Sequence, residues 1–290
     1  MPSFLAIASG EGCAGDNCLG SSARAETKGK QKIKKRFIRC TDLTRLLSLT
    51  NAKVRPRLFF PMSGKHELID QLKGGLIVSC QAPPSPSLES PEVLASIAEA
   101  VVAGGAVAIR ADGPDNVRTI RERTNVPVIG IWKRDLPDTG IHITPRLEDV
   151  LAVSDAGAEI VALDATARHR PGNQSLHDIV SQARAESSAL LMADVSNFEE
   201  AVHAAELGFD LVATTLSGYV GVVEDGDPDL DLVERLASYF GDTWPIVAEG
   251  RISTPAQAAE ALLRGAHAVV VGTAITRPQV LTEAFCEVMR

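Results

Sequence analysis

The sequence lacks the features that would make it a membrane protein, a disulfide scaffold or a dinucleotide-binding enzyme. No apolar run approaches the roughly 20 residues that cross a bilayer. FLAIA near the start is too short for a signal-peptide core, and Glu11 and Asp16 argue against a transit peptide. The five cysteines form no dense framework, and their odd number points to a reducing compartment, the cytoplasm. Cys13 and Cys18 have no histidine among residues 1–61 to complete a zinc set, so no metal is expected. No GxGxxG follows the first strand-like run. Acidic residues are scarce at one end: residues 1–61 hold 4 of the 37 Asp and Glu but 12 of the 29 Lys and Arg.

What is present from residue 75 onward is alternation. The apolar runs GLIVSCQ, AVAIRA, PVIGIWK, EIVALDA, LLMADV, LVATTL, PIVAEG and AVVVG make eight, each followed by a helical pattern. Continuous aliphatic runs are expected of parallel strands covered on both faces. Ser90-Pro91, Thr144-Pro145, Thr254-Pro255 and Arg277-Pro278 mark helix starts, and Ser196 with Glu199 has capping-box spacing. Gly105, Gly157, Gly208 and Gly265 close the helices before the even-numbered strands, at separations of 52, 51 and 57 residues, or about two β/α units. The expected fold is α/β, a (β/α)8 TIM barrel over residues 62–290, rather than an open doubly wound sheet.

Residues 1–61 form an extension with a charge balance of +8, against −16 for the remainder. KGKQKIKKRFIRC has the composition of a nucleic-acid or membrane-surface patch. A charge-biased, apolar-poor arm, or sequence lying ahead of a natural start at Met62, accounts for it without any partner, and neither nucleic acid nor membrane is expected to bind. The sequence carries no direct signal for oligomeric state; β/α barrels often pair, and a homodimer is the assembly it allows.

A β/α barrel carries its active site at the C-terminal ends of its strands, with a phosphate pocket usually after strands 7 and 8. Those ends here read Cys80-Gln81, Arg110, Lys133-Arg134-Asp135, Asp164 and Thr166, Asp194, Thr214-Thr215 with Ser217-Gly218-Tyr219 beyond, Glu249-Gly250, and Gly272-Thr273. Each has an ordinary alternative. Lys133 alone reads as a solvated loop lysine, Arg110 as a structural ion-pair partner, and Asp164 as a helix cap or loop brace. Glu249 differs because it directly follows an apolar run, where a carboxylate is costly unless paired or used. His142 and His169 read as exposed bystanders.

Taken in order, GGLIVSCQA, VAIRADG, VIGIWKRD, ITPRLEDV, IVALDATAR, LMADVS, FDLVATTLSGY, IVAEGRISTP and VVVGTAITRP resemble the N-acylmannosamine-6-phosphate 2-epimerase family from about Lys73 to the C-terminus. Residues 1–61 have no equivalent there, Trp132 stands where an aliphatic residue is usual, and VGVVEDGDPDL after Tyr219 falls in a variable segment. The resemblance implies cofactor-free interconversion of N-acetylmannosamine 6-phosphate and N-acetylglucosamine 6-phosphate in sialic acid catabolism.

That chemistry removes and returns a proton at C2, next to the carbonyl of the ring-opened sugar. It needs a base poised near neutrality, oxyanion stabilisation, a ring-opening proton relay and a phosphate anchor. The resemblance assigns Lys133 as proton acceptor and donor at C2, with Arg110 and Arg134 expected to lower its proton affinity, and Glu249 as the second catalytic group. Gln81, Arg110, Asp164, Asp194 and Thr215 form the expected substrate-binding set. Gly250, Gly272, Thr273 and Arg277 form the phosphate end, where a helix starting at Pro278 adds its dipole. Two alternatives stand beside this: another phosphosugar isomerase or decarboxylase on a phosphate-binding barrel, and a non-catalytic phosphosugar sensor.

Overall fold

The computed structural model describes residues 62–81, 88–137, 139–221 and 226–290; the expectation for the extension lies outside them. Eight parallel strands close on themselves in chain order: β1 (Leu76–Cys80), β2 (Ala108–Asp112), β3 (Val128–Ile131), β4 (Ile160–Asp164), β5 (Leu190–Asp194), β6 (Leu211–Ala213), β7 (Ile246–Ala248) and β8 (Ala268–Val271). Strand β8 pairs with β1 through Leu76↔Val269 to Val78↔Val271. The fold is a (β/α)8 barrel.

The α-helices among the described residues are α1 (Met62–Leu72), α2 (Pro91–Ala103), α3 (Pro114–Arg123), α4 (Leu147–Asp155), α5 (Leu176–Glu186), α6 (Phe198–Glu206), α7 (Leu230–Phe240), α8 (Pro255–Leu263), α9 (Thr273–Thr276) and α10 (Pro278–Val288). Gly105, Gly157, Gly208 and Gly265 do fall just beyond α2, α4, α6 and α8. Ser90 and Thr254 cap α2 and α8 as their sequence signals require, the latter with Gln257 in a capping box.

Two helix starts differ from expectation. Thr144-Pro145 begins nothing: Thr144 is buried with φ 45°, its hydroxyl donates to Ala162 O at 2.7 Å, and α4 starts two residues after Pro145. At α6 the cap is Asn197, which accepts from Glu200 N, while the Glu200 carboxylate receives Ser196 N and Oγ. The motif is shifted by one residue because Asn197 takes the extended cap conformation.

Strand side chains alternate between two apolar layers. Ile77, Ile129, Ile160, Leu190, Leu211 and Val247 fill the barrel interior, whereas Val78, Ile109, Val161, Leu191 and Val212 face the helices. Each fully buried aliphatic contributes roughly 1.5–3 kcal/mol, and both layers are close to fully excluded from water. Leu68 and Leu72 of α1 join the interior layer, and His267 Nε2 lies 2.8 Å from Ile69 O. That helix closes the N-terminal floor, leaving the opposite mouth as the place for chemistry.

Candidate active site

The inward set continues past the apolar layer at the C-terminal ends. Two residues beyond Ile77 is Ser79, then Gln81; beyond Ala108 is Arg110; beyond Ile131 is Lys133; beyond Met192 is Asp194; beyond Ala213 is Thr215; beyond Val247 is Glu249; beyond Val270 is Gly272. A cavity of about 800 Å³ opens here, lined by Gln81, Arg110, Lys133, Thr215, Glu249, Gly250, Gly272, Thr273 and Arg277, among others.

Among the described residues Arg110 is the largest fully buried side chain, 1% exposed. Nη1 and Nη2 donate to the two Asp194 carboxylate oxygens at 3.1 and 2.5 Å, and Nη1 also donates to Glu249 Oε2 at 2.8 Å. A guanidinium fork matches a carboxylate in this bidentate way. The Thr215 hydroxyl lies 2.8 Å from Asp194 Oδ1 and 3.2 Å from Glu249 Oε2, so its one proton serves either. Burial pushes the Glu249 carboxyl up to about 7; Arg110 opposes this, the Asp194 charge adds to it, and Thr215 and Lys133 pull down. Glu249 therefore takes both protonation states near neutral pH.

Lys133 projects from the loop after β3, pinned by its N–H to Asp112 Oδ1 at 2.8 Å and by an antiparallel bridge to Ile143. Its Nζ donates to Gln81 Oε1 at 2.5 Å. The surrounding protein lowers its proton affinity by desolvation first, then through Arg110 and Arg277, against Asp112 and Glu249. Arg134, expected to take part in this, does not. Its guanidinium lies 4.2 Å above the Trp132 ring and 3.7 Å from Asp149 Oδ1, turned to the outer side of the loop.

At the other end of the cavity, Gly250 adopts φ 112°, which a side chain would strain, and its backbone runs close to Thr214 and Thr215. Thr273 and Ala274 open α9, so their N–H groups lack carbonyl partners within the helix. Arg277 follows and precedes α10. A cation beside unpaired N–H groups suits an oxyanion such as phosphate.

A family model described as "Putative N-acetylmannosamine-6-phosphate epimerase" matches residues 94–290. A Cutibacterium acnes protein described as "Putative N-acetylmannosamine-6-phosphate 2-epimerase" is 46% identical over 231 residues, covering 79% of this chain and 100% of its own length. The chain belongs to the N-acetylmannosamine-6-phosphate 2-epimerase family. A Yersinia pseudotuberculosis relative with the same description is 45% identical over 229 residues, covering 79% of this chain and 96% of its own. The structure of the N-acetylmannosamine-6-phosphate 2-epimerase from Clostridium perfringens superposes with a TM-score of 0.72 at 42% identity, covering 76% of this chain and 96% of that one.

Within this member of the epimerase family, two expected substrate-binding residues, Asp194 and Asp164, do not line the cavity: Asp194 is buried behind Arg110, and Asp164 is placed elsewhere. Asp164 Oδ1 receives Thr166 N and Oγ1 at 3.0 and 2.7 Å, and Oδ2 receives Arg168 Nη2 at 2.5 Å. Asp164 is fully buried and braces the loop after β4; it does not line the cavity. His169 and His142 are exposed and lie outside the cavity too. Among the described residues no cluster of His, Cys, Asp and Glu has the makings of a metal site, and no helix is long and apolar enough to cross a membrane.

Of the cavity residues that escape sequence reading, two have side chains placed in informative ways. Ser79 is one; its inward parity with Ile77 and Gln81 is the signal that marks it, whereas Cys80, read as part of the strand end, turns outward into the helix-facing layer. Arg251 is the other. It holds φ 54°, and its Nη1 donates to Ser217 O at 2.6 Å across Gly218, where a Cβ would fall 2.1 Å from that nitrogen. Only the backbone conformation brings it there, and no spacing in the sequence announces that.

Proposed function

We propose that the barrel mouth epimerises C2 of N-acetylmannosamine 6-phosphate to give N-acetylglucosamine 6-phosphate, with no cofactor. The observation that carries the reading is one cavity holding an amine of lowered proton affinity, a carboxyl near pH 7 and an oxyanion-suited end.

The ring opens to the aldehyde. Neutral Lys133 takes the C2 proton as the C–H electron pair moves into the C1=C2 bond of a 2-acetamido enolate, whose C1 oxyanion the Arg110 charge stabilises. A proton returns to the opposite face of C2, restoring the aldehyde, and the ring closes. Glu249, present in both forms near neutrality, serves the second proton transfer or the ring opening. Gln81 and Thr215 hold polar groups of the sugar, while Asp194 acts behind Arg110. Gly250, Gly272, Thr273 and Arg277 hold the phosphate. Residues 62–290 constitute the catalytic domain.

The same reading places a homodimer in the cytoplasm. Val280, Leu281, Phe285, Val288 and Met289 of the C-terminal segment are 40–84% exposed, an apolar face of the kind that marks interfaces. Sedimentation velocity measures the mass; a monomer at micromolar concentration removes the dimer. For the reaction, proton NMR of N-acetylmannosamine 6-phosphate in deuterated water follows loss of the C2 signal. No exchange with any 2-acetamido sugar 6-phosphate rejects the reading.

A further inference from the structure

Hydrogen-bond valence around Gln81 singles out Ser79. Lys133 Nζ donates to the Gln81 carbonyl oxygen at 2.5 Å, a contact open to the amine before it takes the C2 proton and to the ammonium after. That turns the amide nitrogen toward Ser79, whose Oγ accepts from it at 2.8 Å. A hydroxyl that accepts retains its own proton to give. Among the described residues the Ser79 hydroxyl has no partner other than Gln81. Ser79 is 8% exposed, inward on β1 and part of the cavity wall.

Its surroundings on the far side belong to the oxyanion end. Thr276 Oγ1 of α9 donates to Ser79 O at 2.9 Å. A Cβ built on Gly272 would stand 3.3 Å from Ser79 Cβ and 3.6 Å from Oγ, so the backbone that opens α9 runs directly beside this hydroxyl. Ser79 therefore sits between the base and the start of α9, with one unassigned proton.

We propose that Ser79 is a positioning residue that links phosphate binding to placement of the base: its hydroxyl donates to a substrate phosphate oxygen while accepting from Gln81, whose carbonyl then holds Lys133. The inference rests on the phosphate reading above. Hydrogen bonds in such a chain polarise one another, so a bound phosphate strengthens the grip of Ser79 on Gln81 and of Gln81 on Lys133. A sugar lacking phosphate leaves the chain loose.

The test uses the full chain carrying Ser79→Ala, Gln81→Ala and both together, with Ser79→Cys as the volume-preserving variant should alanine melt early. C2 exchange of N-acetylmannosamine 6-phosphate gives kcat, and inhibition by inorganic phosphate gives affinity at the oxyanion end. Ser79→Ala is expected to lower kcat about tenfold and weaken phosphate inhibition about tenfold, the loss of one hydrogen bond to a charged group. The double variant is expected to have the kcat of Gln81→Ala, because Ser79 acts through that amide. Losses in kcat that multiply, or unchanged phosphate inhibition in Ser79→Ala, overturn the proposal. Wild-type exchange with Ser79→Ala behaving as wild type rejects this inference alone; absence of exchange in the wild type rejects the epimerase reading itself.

Discussion

Arg110 and Asp194 form a bidentate ion pair with neither side chain more than 1% exposed, and Glu249 approaches the same guanidinium from the side. Burial raises the proton affinity of Glu249; Arg110 pulls it down, and the Asp194 charge on the same guanidinium adds to the rise, so the carboxyl retains a proton near neutrality. The groups facing Glu249 are Arg110, Asp194, Thr215 and Lys133. Asp194→Asn removes the charge that raises its proton affinity, so the limb of the pH–rate profile governed by Glu249 moves to lower pH. Thr215→Val removes a donor to the ionised form, so the same limb moves to higher pH. Shifts in one direction for both variants would show that packing, not charge, dominates.

Glu249 also weighs on stability. Its folded value of about 7 lies above the ordinary 4.5, so the folded state binds more protons between those values and stability falls as pH rises through that window. The penalty is absent below about pH 4.5 and complete above pH 7, on the order of 3 kcal/mol. Glu249→Gln is expected to melt later than wild type at pH 8, by up to that amount, and to lose the advantage at pH 4.5 while kcat falls steeply. Urea unfolding at the two pH values measures it; an equal difference at both would refute the account.

Lys133→Ala is expected to stop epimerisation and solvent deuterium entry at C2, since general base catalysis is worth about 10²–10⁴ in rate. Binding of the sugar phosphate should persist. Exchange at the wild-type rate would place the base elsewhere.

Arg277→Ala is expected to raise KM for the 6-phosphate about tenfold or more without altering the melt, the loss of a charge-assisted hydrogen bond. Steady-state kinetics decide it; an unchanged KM takes Arg277 out of the phosphate end.

A chain beginning at Met62 is expected to fold and keep full activity. The whole Cutibacterium acnes relative aligns within 231 residues, and the basic extension has little apolar content with which to offset its ordering entropy. A large loss of Tm or activity on truncation would contradict this.

The barrel was legible because parallel strands covered on both faces leave uninterrupted aliphatic runs, eight in number, seven of which end in polar side chains and the eighth in Gly272. The strand ends marked Lys133, Glu249, Gly250, Gly272 and Thr273, which line one cavity; the roles proposed for them, and for Arg277, came from the family resemblance. What remained hidden was orientation. Within an apolar run the two faces look alike, so Cys80 stood beside Gln81 while Ser79, on the inward face, went unmarked. Asp164 shares the inward parity, but Thr166 and Arg168 satisfy its carboxylate locally. Arg134 and Lys133 are neighbours in sequence, and the strand-like alternation of the loop sends them to opposite sides.

The floor of the barrel has a kinetic corollary. With Leu68 and Leu72 of α1 set into the interior layer below Ile77, the tube is stoppered at one end. Substrate cannot pass through the molecule; whatever enters at the mouth leaves by the same door. The two epimers differ only in the configuration of one carbon and share that entrance, so each is a competitive inhibitor of the other's turnover. Net flux through the enzyme then depends on removal of product by the next consumer rather than on any directional gate in the protein.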